Sequence, residues 1–300
     1  MHRIGVITSD IERDWASREL IEAANRAAEG AVVDPLAFEL RTSGIPSIRI
    51  SGEPVEAFDA FIVRGFNRGG DVDYQYEILE LLERLGKLVV NSPAGLSVAE
   101  SKAQTTYCLQ ESGIPVPRTL VTQDLDEAHS ALSQFGEAVL KPLYGSFGID
   151  MERVKPDTAE SILPDFIRKH GAIYMQEYIP NEGRDIRAFV VGDHVTAAVY
   201  RIAQDGEWKT NVAQGSSCER CELSSELCDL CVKAAKVIGL DYTGVDVMEG
   251  PCGPMVLEVN GAPCWQGLLD GTGHNVAGDV VEHLLRMLHA GQPALRPLGF

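Results

Sequence analysis

The sequence predicts an α/β protein of several lobes. Strand-like apolar runs and amphipathic helical stretches alternate along the whole chain, which is the pattern of sheets covered by helices. The chain has 300 residues, whereas single hydrophobic cores stop growing at roughly 250–300 residues. A composition of 45% hydrophobic and 23% charged residues is that of an ordinary globular protein and excludes disordered and fibrous classes. We therefore expect two or three lobes.

The first lobe is expected over residues 1–95. Helical patterns stop at Gly30 and at Gly86, and glycine is a common residue at helix C-termini. The predicted elements, in chain order, are strand 3–8, helix 15–28, strand 59–64, helix 74–85 and strand 87–90. This order predicts a small open sheet of parallel strands.

A second lobe is expected over residues 96–173, a third over 174–290 and a loose tail over 291–300. The second begins with a helix at 97–111 and continues with strand 118–122, helix 124–135, strand 137–141, strand 149–154, helix 157–169 and strand 172–177. The third has strands near 185–192, 194–202, 243–249 and 254–260, and helices near 223–238 and 275–289. The three lobes thus contain both helices and strands.

The charge balance limits the partners. The chain has 26 Lys+Arg and 44 Asp+Glu, a formal net charge of −18, which disfavours nucleic acids and anionic membranes. No apolar run approaches the ~18 residues of a membrane span, and the start turns acidic too early for a signal peptide. Seven cysteines, an odd number, suit reduced thiols. We expect a cytoplasmic homo-oligomer that acts on small molecules.

Two successive strands near residue 250 carry oxygen ligands. Asp246 stands between Val245 and Val247, and Glu258 and Asn260 alternate with apolar residues in the next strand. Alternate residues of a strand share a face, so a hairpin would bring Asp246 opposite the other two. Such an all-oxygen cluster suits Mg²⁺ or Mn²⁺. The alternative is a solvent-facing edge hairpin, but carboxylates between apolar neighbours favour burial beside a partner.

Two lysines and a glycine loop indicate phosphate binding. Lys141 ends an apolar strand and precedes a loop of small residues whose backbone N–H groups could hold phosphate, namely Gly145, Ser146 and Gly148. The loop does not match a Walker motif. Lys102 opens a helix, and without context a surface lysine is the simpler interpretation of it.

A pair of arginines completes the candidate site. Asp185 and Arg187 share one face of a strand, the next strand ends at Arg201, and Asn211 follows in a polar loop. Arginines beside Mg²⁺ stabilise the charge that develops on a transferring phosphoryl group. Each arginine alone could instead form a structural ion pair.

The order of these pieces resembles the ATP-grasp superfamily, and within it the ligases that add glutamate to a carboxylate. The likeness is strongest to archaeal ligases that use a reduced pterin, tetrahydromethanopterin, as the acceptor. It rests on residues 11–14, 139–142, 184–191, 208–215 and 257–265. The resemblance implies an ATP-grasp fold preceded by a Rossmann-like domain. Residues 1–95 would then bind the acceptor, 96–173 would form the lid over ATP, and 174–290 would carry catalysis and metal binding.

The resemblance also implies a role for each residue. Lys102 and Lys141 would bind ATP phosphates together with the glycine loop, and Asp185 would reach the ribose. Gln176, Glu177, Tyr178 and Ile179 form the hinge beside the adenine, with contacts from the Glu177 side chain and the backbone of Tyr178 and Ile179. Two Mg²⁺ or Mn²⁺ ions would be held by Asp246, Glu258 and Asn260. Arg187, Arg201 and Asn211 would stabilise an acyl-phosphate and the tetrahedral intermediate.

The implied reaction activates a carboxylate by phosphorylation and needs positioning and cations rather than a nucleophile. Consistently, the sequence has no G-x-S-x-G or H-E-x-x-H motif. Other acceptors remain open: a deazaflavin coenzyme, a ribosomal protein C-terminus or carrier-bound aminoadipate. A non-catalytic nucleotide sensor is a third hypothesis, disfavoured because a sensor needs no arginine clamp.

Two positions depart from the family pattern. Asp150 stands where the phosphate loop usually has a further glycine, and a carboxylate pointing inward would repel phosphate. The segment after Asn260 is Gly-Ala-Pro-Cys-Trp instead of the usual small-polar pair before proline, which could change the acceptor pocket.

Positive charge is also needed where anionic substrates bind. Arg13, Arg18, Arg64 and Arg68 lie at the ends of first-lobe elements, and we expect them to face the cleft.

Four cysteines have a spacing that invites a zinc interpretation: Cys218, Cys221, Cys228 and Cys231. Six residues between the two pairs is short beside the ~15–20 of zinc ribbons. Helical periodicity around the second pair favours packing in the core instead, with metal binding and redox chemistry as alternatives.

Overall fold

The computed structural model describes residues 1–145, 148–212 and 215–291. The first part of the chain builds a parallel sheet in the order β2-β1-β6-β7. Its strands are β1 (Arg3–Ile7), β2 (Glu29–Val33), β6 (Ala60–Val63) and β7 (Leu88–Val90), with helices α1 (Trp15–Ala27) and α2 (Val72–Arg84). The predicted small parallel sheet is therefore confirmed. Between β2 and β6 the chain also forms a small antiparallel sheet that was not predicted. Its strands are β3 (Phe38–Arg41), β4 (Ser47–Ile50) and β5 (Glu53–Pro54).

The predicted helix at 97–111 is in fact two helices, α3 (Pro93–Glu100) and α4 (Lys102–Glu111). They are separated by Ser101, which has an extended backbone and whose hydroxyl accepts a hydrogen bond from the Gln104 N–H at 3.3 Å. Serine is a strong N-cap because its side chain satisfies a free N–H of the first turn. The break places Lys102 in the first turn of α4.

The second part forms an antiparallel sheet in the order β10-β9-β11-β8. Its elements are β8 (Thr119–Thr122), α5 (Leu125–Phe135), β9 (Ala138–Lys141), β10 (Glu152–Val154), α6 (Ala159–His170) and β11 (Ile173–Glu177). Strand β10 begins later than residue 149 because Gly148 and Asp150 have positive φ angles of 69° and 57°, which lie outside the strand region.

The third part is an antiparallel sheet in the order β14-β13-β12-β15-β16. Its elements are β12 (Arg184–Val191), β13 (His194–Ile202), β14 (Ser217–Arg220), α7 (Ser225–Ile238), β15 (Tyr242–Gly250), β16 (Gly253–Asn260), α8 (Gln266–Thr272) and α9 (Ala277–Ala290). Strand β14 and helix α8 were not predicted. Strand β14 reads Ser-Cys-Glu-Arg, a polar edge segment without the alternation that indicates a strand.

The first and third parts share one hydrophobic core. Ile4 and Leu20 of the parallel sheet and its helix pack in the same buried cluster as Phe189, Trp265 and Leu284. The second sheet has a separate core with its own helices. The first and third parts are therefore packed against each other, whereas the second sheet and its helices form a separately packed unit. The predicted tail falls largely on residues 292–300, outside the described residues.

Among the residues described, no helix combines the length and the apolar character that a membrane crossing requires.

Candidate active site

A cleft between the second and third sheets collects most of the predicted site residues. Strand β9 and the loop after it form one wall, strands β12, β13, β15 and β16 form the floor, and the start of α4 closes one end. The predicted residues that line the cleft are Lys102, Lys141, Gly145, Gly148, Asp185, Arg201, Asn211, Asp246 and Glu258. Residues that are up to 156 positions apart in the sequence (258 − 102) therefore meet at one place.

The floor of the cleft is a network of alternating charges. Strand register sets Arg187 opposite Asp246 and Asp185 opposite Arg201. Arg187 binds Asp246 through two nitrogens, one of them at 3.0 Å. Arg201 donates through Nε to Asp185 Oδ1 at 2.8 Å and lies 3.0 Å from Asp246 Oδ2 through Nη2. The planar guanidinium thus joins two buried carboxylates.

The pKa values of the two carboxylates in this network, Asp246 and Asp185, shift in opposite directions. Burial opposes the charged form of Asp246, but Arg187 and Arg201 outweigh it and hold the pKa of Asp246 below its usual value. Burial dominates at Asp185 and raises its pKa, although Arg201 counteracts it. The two acids keep the pKa of Arg201 raised, so its guanidinium stays charged although it is buried.

Lys141 is a buried ammonium beside the cleft. Its Nζ donates to Gln176 Oε1 at 2.6 Å. Burial lowers the pKa of Lys141 to about 8, against the opposite effect of the Glu258 carboxylate. Among the described residues, the ammonium is hydrogen-bonded to a neutral amide oxygen and to no carboxylate, so Lys141 can bind an anion that enters the cleft.

Lys102 is brought into the site from the first turn of α4. Its Nζ donates to the Gly145 carbonyl at 2.6 Å and lies 3.6 Å from Glu258 Oε1. The side chain is 14% exposed, so the interpretation of Lys102 as a surface lysine does not hold. The amine faces the same cavity as Lys141.

The predicted metal ligands lie on the paired strands β15 and β16. Asp246 is opposite Glu258, and the pairing shifts immediately after Asp246. Asn260 donates through Nδ2 to the Gly244 carbonyl at 2.9 Å, which leaves its Oδ1 as the oxygen available to a ligand. The described residues hold no metal-competent group of three or more His, Cys, Asp or Glu side chains. A set of two carboxylates and one amide matches the oxygen preference of Mg²⁺, which also keeps water and substrate ligands.

The loop over the cleft is fixed by close contacts. Gly148 packs on Asn211 so tightly that a Cβ at Gly148 would lie 2.5 Å from Asn211 Oδ1. Gly145 has a φ of 139°, which a residue with a side chain rarely adopts. Ser146, predicted as a phosphate ligand, lies outside the described residues.

Asp150 turns away from the cleft. Its carboxylate accepts a hydrogen bond from Lys169 Nζ at 2.7 Å, and the neighbouring ammonium holds the pKa of Asp150 below its usual value. The Asp150 carboxylate therefore does not point toward the phosphate site, and the repulsion considered from the sequence is not expected. The positive φ of Asp150 also agrees with the glycine that the family resemblance leads us to expect at this position.

The hinge residues are engaged in bonds of their own. Arg118 binds the Glu177 carboxylate in a bidentate pair at 2.7 and 2.8 Å, and this pair holds the pKa of Glu177 below its usual value. The Tyr178 N–H donates to the Glu137 carbonyl at 3.0 Å. Adenine contacts from the Glu177 side chain or the Tyr178 N–H would have to compete with these bonds. Ile179 is buried beside Gly250.

Two residues at the cleft were not predicted from the sequence. Thr210 is buried, lines the cleft and hydrogen-bonds with Asp185. Lys209 donates to the Gly148 carbonyl at 3.2 Å. Both belong to the Trp-Lys-Thr-Asn stretch on which the resemblance rests, which was the signal that could have drawn attention to them.

The first-lobe arginines do not form one cationic surface. Arg64 is buried, pairs with Asp14 at 3.3 Å and donates to the Pro263 carbonyl at 2.8 Å. The expectation that Arg64 faces the cleft is therefore wrong, because its charge is neutralised inside the protein. Arg13 is 91% exposed, Arg68 is exposed, and Arg18 donates to carbonyls of the segment before α1.

The four spaced cysteines are free thiols, and they are not brought together as a metal site in the described residues, which include all four. Cys221 and Cys231 are buried, and burial raises the pKa of Cys231 to about 12. A thiol of such high pKa stays protonated, as expected for a cysteine packed in the core. The structure supports the core-packing interpretation for Cys231, whereas Cys228 is only half-buried.

Comparison with known proteins decides the family. Residues 99–284 match the model of the RimK-like ATP-grasp domain, which covers more than half of the chain. The chain belongs to the RimK-like ATP-grasp family. The predicted ATP-grasp fold class is thereby confirmed. The residues that line the cleft all lie within the matched range.

Curated relatives from this family cover nearly the whole chain. The tetrahydromethanopterin:alpha-L-glutamate ligase of Methanosarcina acetivorans is 35% identical over 96% of this chain and 100% of its own length. The ligase of the same name from Methanocaldococcus jannaschii is 36% identical over 95% of this chain and 98% of its own. A probable alpha-L-glutamate ligase of Pseudomonas fluorescens is also 36% identical, over 91% of this chain and 92% of its own. The predicted ligase class agrees with these names.

Solved structures share the fold. The RimK-domain ATP-grasp protein of Sphaerobacter thermophilus is 25% identical and superposes with a TM-score of 0.71, over 94% of this chain and 98% of its own. The ATP-grasp ligase PsnB, solved with a precursor, Mg and ADP, has a TM-score of 0.77 at 23% identity, over 95% of this chain and 97% of its own. At that identity the likeness to PsnB shows the fold alone.

Proposed function

We propose that this protein is an ATP-dependent ligase that adds L-glutamate to the terminal carboxylate of tetrahydromethanopterin. The products would be tetrahydrosarcinapterin, ADP and phosphate, with an acyl-phosphate as the intermediate. The observation that carries the proposal is the cleft in which two lysines and Arg201 face Asp246 and Glu258. Curated relatives named as glutamate ligases, at 35–36% identity over nearly the whole chain, support the reaction class.

The nucleotide would lie under the glycine loop. Lys102 and Lys141 would bind its phosphates, and Lys102 would exchange its present partner, the Gly145 carbonyl, for phosphate oxygens. Gln176 would orient Lys141 through the bond at 2.6 Å. The backbone of Tyr178 and Ile179 would border the adenine. In our proposal the Glu177 carboxylate stays paired with Arg118 at the hinge and does not itself contact the adenine.

Asp246, Glu258 and Asn260 would hold the divalent ions, Mg²⁺ or Mn²⁺, beside the phosphates. When bound, such ions neutralise the charge of the transferred phosphoryl group and of the leaving ADP. Asp246 can serve both as a metal ligand and as the acceptor for Arg187 and Arg201, because a carboxylate has about four lone-pair sites.

The chemistry would proceed in two balanced steps. A carboxylate oxygen of the acceptor attacks the γ-phosphorus of ATP, the bond to ADP breaks, and an acyl-phosphate forms. The glutamate amine then attacks the acyl carbon, phosphate leaves, and the amine loses a proton as the amide forms. Arg187, Arg201 and Asn211 would stabilise the charge that develops on phosphate and on the tetrahedral oxygen. Asp185 would position Arg201, since it is bonded to that guanidinium rather than free for a ribose.

The test is a coupled assay with ATP, Mg²⁺, L-glutamate and tetrahydromethanopterin. We expect one ADP and one phosphate for each amide formed, and no activity in the matched variant Lys141→Met, which keeps the length of the side chain without its charge. Formation of AMP and pyrophosphate would contradict the mechanism. Nucleotide consumption without an amide would contradict the ligase assignment.

The acceptor needs its own test, because a probable alpha-L-glutamate ligase of a bacterium is as similar as the archaeal relatives. The same assay with a deazaflavin coenzyme, a peptide ending like a ribosomal protein C-terminus and carrier-bound aminoadipate separates the alternatives. Turnover with one of these and none with the pterin would replace the acceptor but keep the reaction class.

A further inference from the structure

A chain of side-chain hydrogen bonds runs from Lys141 into the interior of the protein. Lys141 Nζ donates to Gln176 Oε1 at 2.6 Å, and Gln176 Nε2 donates to Tyr174 Oη at 3.3 Å. Tyr174 Oη in turn lies 2.7 Å from Thr106 Oγ1. Lys141, Gln176 and Tyr174 are buried, and Tyr174 is only 1% exposed. Because a buried polar group that loses its partner is costly, each member of the chain depends on the next.

Strand pairing sets the inner part of this chain. Tyr174 stands directly opposite Lys141 in the antiparallel pairing of β11 with β9. Tyr174 and Gln176 are two residues apart on β11, so they share one face of the sheet. The three side chains therefore project from the same face, and the Gln176 amide reaches both of its neighbours.

Thr106 connects the chain to Lys102, the other proposed phosphate ligand. It lies four residues after Lys102 on α4, so the two side chains share one face of that helix. The buried face of α4 packs in the core of the third sheet, whereas the second sheet has a core of its own. The bond between Thr106 and Tyr174 thus joins two separately packed units, and it relates the position of Lys102 to that of Lys141.

The donors and acceptors give the chain one direction. An ammonium only donates, so Gln176 must present its oxygen to Lys141 and its NH₂ group to the other side. The Tyr174 oxygen accepts from that NH₂ group, which directs its own proton to Thr106. Burial raises the pKa of Tyr174, so the phenol keeps the proton that it donates. The other contact of the NH₂ group, with Thr119 Oγ1 at 3.4 Å, is longer than an ordinary hydrogen bond.

We infer that Tyr174 is a positioning residue for the two phosphate-binding lysines. Through Gln176 it orients the Lys141 ammonium, and through Thr106 it sets where that ammonium lies relative to Lys102. The inference rests on the proposed function, in which both lysines bind phosphate, and deepens it. Without the phenol oxygen the Gln176 amide loses the acceptor that fixes its orientation, and the Lys141 ammonium is no longer held toward the phosphates.

Nucleotide binding to Tyr174→Phe, which removes a single oxygen, tests the inference. We expect the Kd of the non-hydrolysable analogue AMP-PNP with Mg²⁺ to rise roughly threefold to tenfold, the effect of one hydrogen bond. The Kd of adenosine should not change, because adenosine has no phosphate. Thr106→Val should have the same effects as Tyr174→Phe, whereas Thr106→Ser, which keeps the hydroxyl, should bind both ligands like the wild type.

Tyr242→Phe is the matched control for the loss of a buried hydroxyl. Tyr242 is fully buried, and its hydroxyl donates to the Val63 carbonyl at 3.1 Å, between the first and third parts. Tyr174→Phe and Tyr242→Phe should each lose about 1 kcal/mol of unfolding free energy. Only Tyr174→Phe should weaken the binding of AMP-PNP.

A double-mutant cycle with Gln176→Met distinguishes positioning from general damage. If Tyr174 acts on Lys141 through Gln176, its hydroxyl has nothing left to orient in the Gln176→Met protein. Adding Tyr174→Phe to that variant should therefore raise the Kd of AMP-PNP by less than about twofold, because members of one hydrogen-bond network are not additive.

The inference is overturned if Tyr174→Phe keeps the wild-type affinity for AMP-PNP, if its effect is as large in the Gln176→Met protein, or if Tyr242→Phe matches it. These measurements concern binding and not ligation. If the wild type formed no amide yet the variants showed the expected pattern, the proposed reaction would fail while the role of Tyr174 would stand. Amide formation without that pattern would overturn the role of Tyr174 alone.

Discussion

At the scale of single residues, the site depends on how each charge is partnered. Arg201 is buried between Asp185 and Asp246, while Lys141 is buried beside a neutral amide. The guanidinium stays charged because two carboxylates stabilise it. For the ammonium, burial outweighs the opposing effect of the Glu258 carboxylate and lowers the pKa to about 8, so Lys141 can lose its proton near physiological pH.

The pH dependence of nucleotide binding follows from Lys141. Its pKa is lowered to about 8, so the free protein carries the ammonium below pH 8 and the neutral amine above it. Phosphates bind the ammonium, so above pH 8 binding must take up a proton. The Kd for ATP should then rise up to about tenfold per pH unit.

Calorimetric titrations between pH 7 and 9.5 measure this slope, and Lys141→Arg is the control, because a guanidinium stays charged over the whole range. A wild-type slope as flat as that of Lys141→Arg would contradict the assignment of Lys141 as the titrating phosphate ligand.

At the scale of elements, the loop after β9 decides how the cleft is closed. Gly148 combines a φ of 69° with direct contact to Asn211. The first feature alone costs a side chain about 1 kcal/mol, whereas the second requires Asn211 to move.

Gly148→Ala and Gly136→Ala separate the two effects. Gly136 has a φ of 76°, and no heavy atom would lie within 4 Å of a new Cβ there. Both variants should lose about 1 kcal/mol of unfolding free energy. Only Gly148→Ala should lower kcat/KM, by roughly tenfold to a hundredfold, because it displaces Asn211. Equal kinetics for the two variants would show that the contact with Asn211 has no part in activity.

The pairing of β15 and β16 shows which features of an element can be predicted from the sequence. Alternation placed Asp246 opposite Glu258, and the register confirms it, because a period of two follows from strand geometry alone. The split of the predicted helix 97–111 at Ser101 was not foreseen. Both halves have helical sequences, and the break lies at Ser101, whose backbone is extended.

At the scale of the whole molecule, Asn91 joins the first and third parts. Its side chain is buried at the end of β7. It donates to the Tyr242 and Gly261 carbonyls at 2.8 and 2.7 Å and accepts from the Asp241 and Tyr242 N–H groups at 2.7 and 3.1 Å.

Asn91→Ala should remove about 3–5 kcal/mol of unfolding free energy, because several buried backbone groups would lose their partners. Asn25→Ala is the control. Asn25 is exposed and accepts one bond from the Gly30 N–H at 2.9 Å, so its loss should cost under about 1 kcal/mol. Denaturant unfolding measures both. A similar small loss in the two variants would mean that Asn91 does not secure the interface.

The sequence by itself determined the α/β class, the parallel first sheet and the facing positions of Asp246 and Glu258. Periodicity and strand alternation are local properties of the chain, so they can be read without the fold. It also predicted a cationic site in a protein of net charge −18.

Only the tertiary structure decided which charges are neutralised. Arg64, expected in the cleft, is buried with Asp14, and Asp150 points to Lys169. Lys102 and Lys209, ordinary lysines in the sequence, hold the two described ends of the glycine loop. These outcomes depend on which distant side chains meet across packed sheets, and the free energy of a charge is set by its partners and its burial rather than by its neighbours in the chain.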